Sequence, residues 1–199
     1  MLLIKAKEAS MAGRLTDEEM NQLETWIGSG SKAFSLLYSI TRDACDPAAF
    51  HRLCDNQGPT VTVLYNTQGS VFGGYTSASW DVAKGGYIPD DKAFLFQLRY
   101  SANRKCTKFP VKQPELAVYS SKTHGPCFGK GASDLATFFD KPINHNDGVF
   151  ALNGNMINFG MTFERMGVHT QEINNGHMNI TDLKVYSVTG ETGINVSYR

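Results

Sequence analysis

The chain has 199 residues, a length that fits one domain burying about 70% of the surface its unfolded chain exposes. Lys plus Arg and Asp plus Glu each number 19, so the formal net charge is zero, which argues against nucleic acid or an anionic membrane as the main partner. No stretch approaches the roughly 18 apolar residues of a membrane span.

The opening MLLIKAKEAS has too short an apolar run for a secretory signal, and its charges follow that run. The four cysteines, Cys45, Cys54, Cys106 and Cys127, form no Cys-x-x-Cys pair, so reduced thiols in a cytoplasmic protein are expected. Two sequons, at Asn179 and Asn195, fit chance occurrence and do not establish secretion.

Thr16-Asp17-Glu18-Glu19 has the capping-box spacing, and Met20, Leu23 and Ile27 then give one apolar helical stripe. Gly28-Ser29-Gly30-Ser31 ends that helix. It belongs to an N-terminal arm, 1–31, whose stripe must pack on the following domain or on a partner. The period then changes, and 34–40 reads as a strand. Asp46 caps a short helix with Pro47 at its first position, Phe50, Leu53 and Cys54 as its buried face, and Gly58-Pro59 as its stop.

Residues 60–65 and 70–75 form a hairpin across Asn66-Thr67-Gln68-Gly69. The run 99–112 holds five basic residues and no acidic one, and reads as a solvated loop. Further strands are expected over 93–99, 115–120, 135–139 and 149–152. Asn153-Gly154 is a type I′ turn signal, returning through 155–159, and 179–188 closes the sheet. Residues 190–199 read as a tail. Many short strands with two clear helices predict a mainly β chain, a two-sheet antiparallel β-sandwich with flanking helices. No strand–helix alternation supports a doubly wound nucleotide fold.

The chemistry is sparse. In the glycine-rich segment from His124 to Leu135, Lys130 precedes Gly131 where a phosphate loop needs Ser or Thr at a helix start. His169 and His177 flank Glu172 without a close His pair. Asp140 and Asp147, with Asn144 and Asn146, supply oxygen atoms for calcium but lack the EF-hand spacing, so a polar loop is the plainer reading. No Gly-x-Ser-x-Gly elbow anchors a catalytic triad. Cys127 lies near Lys122, His124 and Lys130, an electropositive setting that would lower a thiol pKa, and is the redox candidate. Phe72, Tyr75, Trp80 and Tyr87 follow the hairpin among glycines; they either line a binding surface or pack a loop on the sandwich.

One block carries more information than any of these. From Phe34 to Ser77 it contains Arg42-Asp43, Phe50-His51-Arg52-x-Cys54-Asp55, Gly58-Pro59-Thr60 and Phe72-Gly73-Gly74-Tyr75. The block resembles the opening of a TLDc domain, the module of oxidation-resistance proteins, and the resemblance extends over 32–189. Phe128-Gly129-x-Gly131-x-x-Asp134-Leu135 is similar to another stretch of that family. In the closing segment, Lys184 stands where the family commonly has Glu, and Tyr186 where it has Trp.

The resemblance implies a β-sandwich flanked by helices and a role in oxidative-stress protection or regulation of the vacuolar-type proton pump. It brings no agreed enzymatic mechanism and no cofactor. The expected function is therefore non-catalytic protein binding, with pump subunits as candidate partners and the arm helix, Trp80, Tyr75, Tyr87 and Lys184 as contact candidates. The alternatives are a thiol antioxidant centred on Cys127 and an ion- or ligand-binding sandwich using Asp140 and Asp147.

Overall fold

The computed structural model describes residues 13–132 and 134–190. The opening stretch set aside as a signal, the tail after Gly190 and the sequon at Asn195 lie outside them.

Helix α1 (Asp17–Ile27) starts where its cap predicts. Thr16 Oγ1 accepts the Glu19 amide at 3.2 Å, and the Glu19 carboxylate accepts the Thr16 amide at 2.9 Å. The large sheet has the order β1 (Lys32–Ser39), β11 (Asn179–Gly190), β2 (Thr60–Asn66), β3 (Val71–Thr76), β5 (Phe94–Tyr100), β6 (Asn103–Pro110), with β10 (Phe150–Ala151) also pairing with β11. The smaller sheet runs β4 (Gly86–Ile88), β7 (Val118–Ser120), β8 (Cys127–Phe128), β9 (Leu135–Ala136). Every pairing in both sheets is antiparallel.

Strand β2 is buried along its whole length because both faces of the large sheet are covered. Val61, Val63 and Tyr65 face one way and join Val71, Tyr75, Phe94 and Phe96 in a cluster sealed by Leu23, Met20 and Trp26 of α1. The arm helix thus packs on the sheet itself. Leu64 faces the other way, into the layer between the sheets, with Phe72 and Leu95 meeting Val118, Phe128 and Leu135 of the small sheet.

A glycine makes that closure possible. A Cβ on Gly74 would lie 2.7 Å from the Phe128 ring, so the small sheet presses directly on the β3 backbone. Short helices α2 (Ile40–Asp43) and α3 (Pro47–Cys54) plug one side of this layer, and Asp46 caps α3 by accepting the Ala48 amide at 3.2 Å. Helix α4 (Gln171–Asn174) lies near β3 and β5.

Several local expectations fail. The basic run 99–112 is mostly strand. Arg104, Lys105 and Lys108 sit on β6, an edge of the large sheet, where cationic side chains deter further strand pairing. Asn153-Gly154 is no I′ turn, since neither residue has positive φ, and 155–159 forms no strand. The Asn153 amide instead accepts from the Phe139 N–H at 2.9 Å and donates to its carbonyl at 2.8 Å. Gly154 is required by a close approach, because its Cβ would stand 2.2 Å from the carbonyl oxygens of Ala136 and Thr137. The strand expected over 135–139 shortens to β9, and that expected over 115–120 becomes a 3₁₀ turn, Pro114–Leu116, followed by β7.

Candidate functional site

The outer face of the small sheet carries a row of rings. Tyr87 on β4 and Tyr119 on β7 are register partners, so both side chains leave the same face, and their rings meet edge to face at 5.2 Å. Tyr119 meets His124 at 5.4 Å in a T-shaped contact, and His124 meets Phe139 at 5.6 Å. A backbone bridge between His124 and Phe139 fixes the last pair. Tyr87 is 40% exposed, and its hydroxyl accepts the Gly131 amide at 2.8 Å, tying the row to the glycine-rich turn. Burial pushes His124 below the ordinary imidazole range, while Asp140 opposes that shift and His51 adds to it.

Beyond Phe139 the row opens into a hollow of about 370 Å³, lined by His124, Phe139, Asn155 and Ile157. Asn155 and Ile157 also form one wall of a larger cleft of about 500 Å³, which continues past Arg165, His169 and His177. Ile157 is 77% exposed, the most exposed large apolar side chain among the described residues.

Of the contact candidates read from sequence, only Tyr87 lies on this surface. Trp80 is fully buried. Its indole N–H donates to Thr60 Oγ1 at 2.9 Å, and its ring packs edge-on against Phe50 at 5.3 Å and Phe128 at 5.6 Å. Tyr75 is buried beneath α1, stacked on Phe94 at 5.0 Å, and burial pushes its phenol up to about 12. Lys184 is engaged within the fold: its ammonium donates to the Gly13 carbonyl, lies 3.4 Å from Asp182 and 5.7 Å from the Tyr65 ring centre. Trp80 and Tyr75 are therefore core residues, which corrects the expectation that they meet a partner.

The expected low thiol pKa of Cys127 is also overturned. The side chain points outward on β8 but lies sealed under Tyr119 beside Ala136, with no exposed surface, and burial pushes the thiol up to about 12. Asp140 and Asp147 are both exposed; Asp147 and Gly148 take positive φ in a tight turn bridged between Asn146 and Val149. No group of three metal-ligating side chains gathers there or elsewhere among the described residues.

One arrangement resembles a catalytic pair but has its outer nitrogen engaged by the fold. His51 Nδ1 lies 2.7 Å from the Asp55 carboxylate, the separation of a base and its orienting acid. Its Nε2, where a nucleophile would sit, faces the carbonyl oxygens of Ser121 at 2.8 Å and His124 at 3.0 Å. Asp55 accepts the Val82 amide at 2.9 Å with its other oxygen. The pair braces α3 to the two loops beneath the aromatic row. Tyr119, Phe139 and Ile157 escape sequence reading because β7 is too short to show a period and the other two lie outside any named strand, although cross-strand pairing with Tyr87 would have exposed Tyr119.

A helix-backed antiparallel sandwich with a row of aromatic rings along its small sheet defines a β-rich module. The chain belongs to the TLDc domain family, whose model matches residues 12–188. It is also similar, over shorter stretches, to curated vertebrate proteins described as MTOR-associated protein MEAK7. Identity to the Gallus gallus protein is 42% over 75 residues, which is 36% of this chain and 13% of that protein. For the Mus musculus protein it is 42% over 53 residues, 25% of this chain and 11% of that protein. For the Danio rerio protein it is 42% over 45 residues, 23% and 10%. The matched stretches thus span about an eighth or less of these relatives. No helix among the described residues is long and apolar enough to cross a membrane.

Proposed function

We propose that this chain is a non-catalytic TLDc-type interaction module, and that it meets its protein partner through the Tyr87–Tyr119–His124–Phe139 row and Ile157. The observation that supports this is the uninterrupted run of ring contacts on a sheet face that no described helix covers, ending at a highly exposed isoleucine. Aromatic side chains bring large contact area with few torsions to freeze, and so dominate contact energetics. The partner belongs to oxidative-stress protection or to control of the vacuolar-type proton pump, as the family resemblance implies. The name of the matched relatives adds association with MTOR as a further setting.

The test is an affinity capture from native lysate with wild-type protein, Tyr87→Ala and Ile157→Asp, quantified by mass spectrometry. Both side chains are exposed, so both variants should keep the wild-type melting point within about 2 °C. Pump subunits, or other reproducible partners, should fall by about tenfold or more in the variants. Equal capture by all three proteins would remove the row as the contact surface.

A further inference from the structure

The cleft beside the aromatic row has a chemistry of its own. Its floor is apolar and adaptable, with Met156, Met178 and Leu152 each under a tenth exposed. Ile157 forms one apolar wall, and the loop 156–168 carries two more exposed methionines, Met161 and Met166. Among the described residues, the ionisable ones lining the cleft are Arg165, His169 and His177, and no carboxylate lines it.

Arg165 is held in place by its stem and its Nε. Gly160 has a φ of +95°, and a Cβ there would stand 2.2 Å from Arg165 Nε, so the arginine stem lies flat across the glycine. Arg165 Nε donates to the Phe159 carbonyl at 2.8 Å, while the terminal guanidinium nitrogens make no hydrogen bond to the described residues. A planar guanidinium fixed through Nε presents its outer edge for a two-point contact with a carboxylate. His169 is exposed, and its backbone amide donates to Glu172, whose carboxylate is 3.5 Å from Lys105. That acidic side chain is therefore already engaged by the fold.

We propose that this cleft docks a partner segment that is acidic and carries a large apolar anchor, with a carboxylate on Arg165 and the anchor on the methionine floor beside Ile157. Charge complementarity selects this occupant: a basic segment would meet Arg165 unshielded, and a purely apolar one would leave the guanidinium facing it unpaired. The inference rests on the protein-contact reading above and gives that contact its chemical class.

The test is selection of a phage-displayed random dodecapeptide library on the full chain, followed by fluorescence anisotropy of the enriched peptides. The expected result is enrichment of sequences pairing Asp or Glu with Leu, Ile, Met or Phe. Their affinity should fall about tenfold or more against Arg165→Glu, and likewise against His169→Glu, which leaves the Arg165–Phe159 bond intact. Neutral or basic enriched sequences, no enrichment, or binding indifferent to both variants would overturn the cleft. Tyr87→Ala separates the two readings. If cleft variants change nothing while Tyr87→Ala still loses lysate partners, the docking chemistry is wrong and the contact module stands. If Tyr87→Ala also changes nothing, both fall.

Discussion

Arg99 on β5 grips Glu19 on α1 through two hydrogen bonds, from Nε at 2.5 Å and from a terminal nitrogen at 3.0 Å. The same carboxylate closes the capping box at Thr16, so one acidic group both starts the helix and ties it to the sheet. Both side chains are largely buried, at 16% and 4% exposure. Arg99→Ala leaves the Glu19 charge buried without its partner, and should cost about 3 kcal/mol. Glu19→Ala, which also breaks the cap but strands an arginine nearer to water, should cost less. Urea unfolding of the two variants checks the order.

The arm helix changes meaning in the same way. Its amphipathic stripe was legible, with its cap and its end, but a stripe does not name what it packs against. The structure gives the answer: Val61, Val63, Phe94 and Phe96 lie under Leu23 and Trp26. Deleting residues 1–30 would uncover that cluster, so it should lower stability and promote aggregation whatever the partner. A melting curve with light scattering of the truncated chain checks this. Loss of binding in such a truncation would not locate a contact.

What could be read in advance followed period and capping. The long strands β2, β3, β5 and β11, helix α1 and the Asp46-capped α3 all announce themselves, and so does the sandwich. The small sheet does so only in part: the strands expected over 115–120 and 135–139 overlap β7 and β9, whereas β4 and β8 are not read. Its strands are two or three residues long, below the length at which alternation means anything, and two contain or adjoin glycines. The candidate surface lies on and beside this sheet, which is why Tyr119 and Phe139 are not read as parts of one surface. Trp80 and Tyr75 misled because an aromatic near glycines fits a core under a close-packed backbone as well as a contact loop. Gly74 exists for Phe128.

Trp80 should behave as a core residue in solution. Its ring fills the space between Phe50 and Phe128 and its N–H is satisfied by Thr60. Trp80→Ala should destabilise by about 3–5 kcal/mol through cavity formation, and leave the buried Thr60 hydroxyl without this donor. Trp80→Phe should cost less. Gly74→Ala should cost about 1–3 kcal/mol by forcing Phe128 away. Guanidinium unfolding monitored by circular dichroism measures all three.

The thiol alternative makes an opposite forecast to burial. Cys127 has no exposed surface and a thiol pushed up to about 12, whereas Cys106 is half-buried on β6. Nucleophilic thiolate is the reactive form, so native Cys127 should resist iodoacetamide and mild peroxide while Cys106 is modified first. Mass spectrometry of timed samples gives the order. Rapid, reductant-reversible oxidation at Cys127 would reopen the antioxidant reading.

His124 links the candidate surface to pH. Burial lowers its pKa below the ordinary 6.5, Asp140 pulls it upward, and His51 pushes it further down. The folded chain therefore binds this proton less readily than the unfolded chain. Its contribution to stability is complete above 6.5 and declines as pH falls from there toward the lowered folded value, because the unfolded chain takes up the proton first. An NMR titration should place the His124 midpoint below 6.5. Acidification through that midpoint puts a charge between Tyr119 and Phe139, so the apolar part of a partner that rests on these rings should bind more weakly there. His124→Phe should keep the row and flatten both dependences, read as unfolding free energy and partner affinity against pH. An unchanged pH profile in that variant would mean that another group controls the surface.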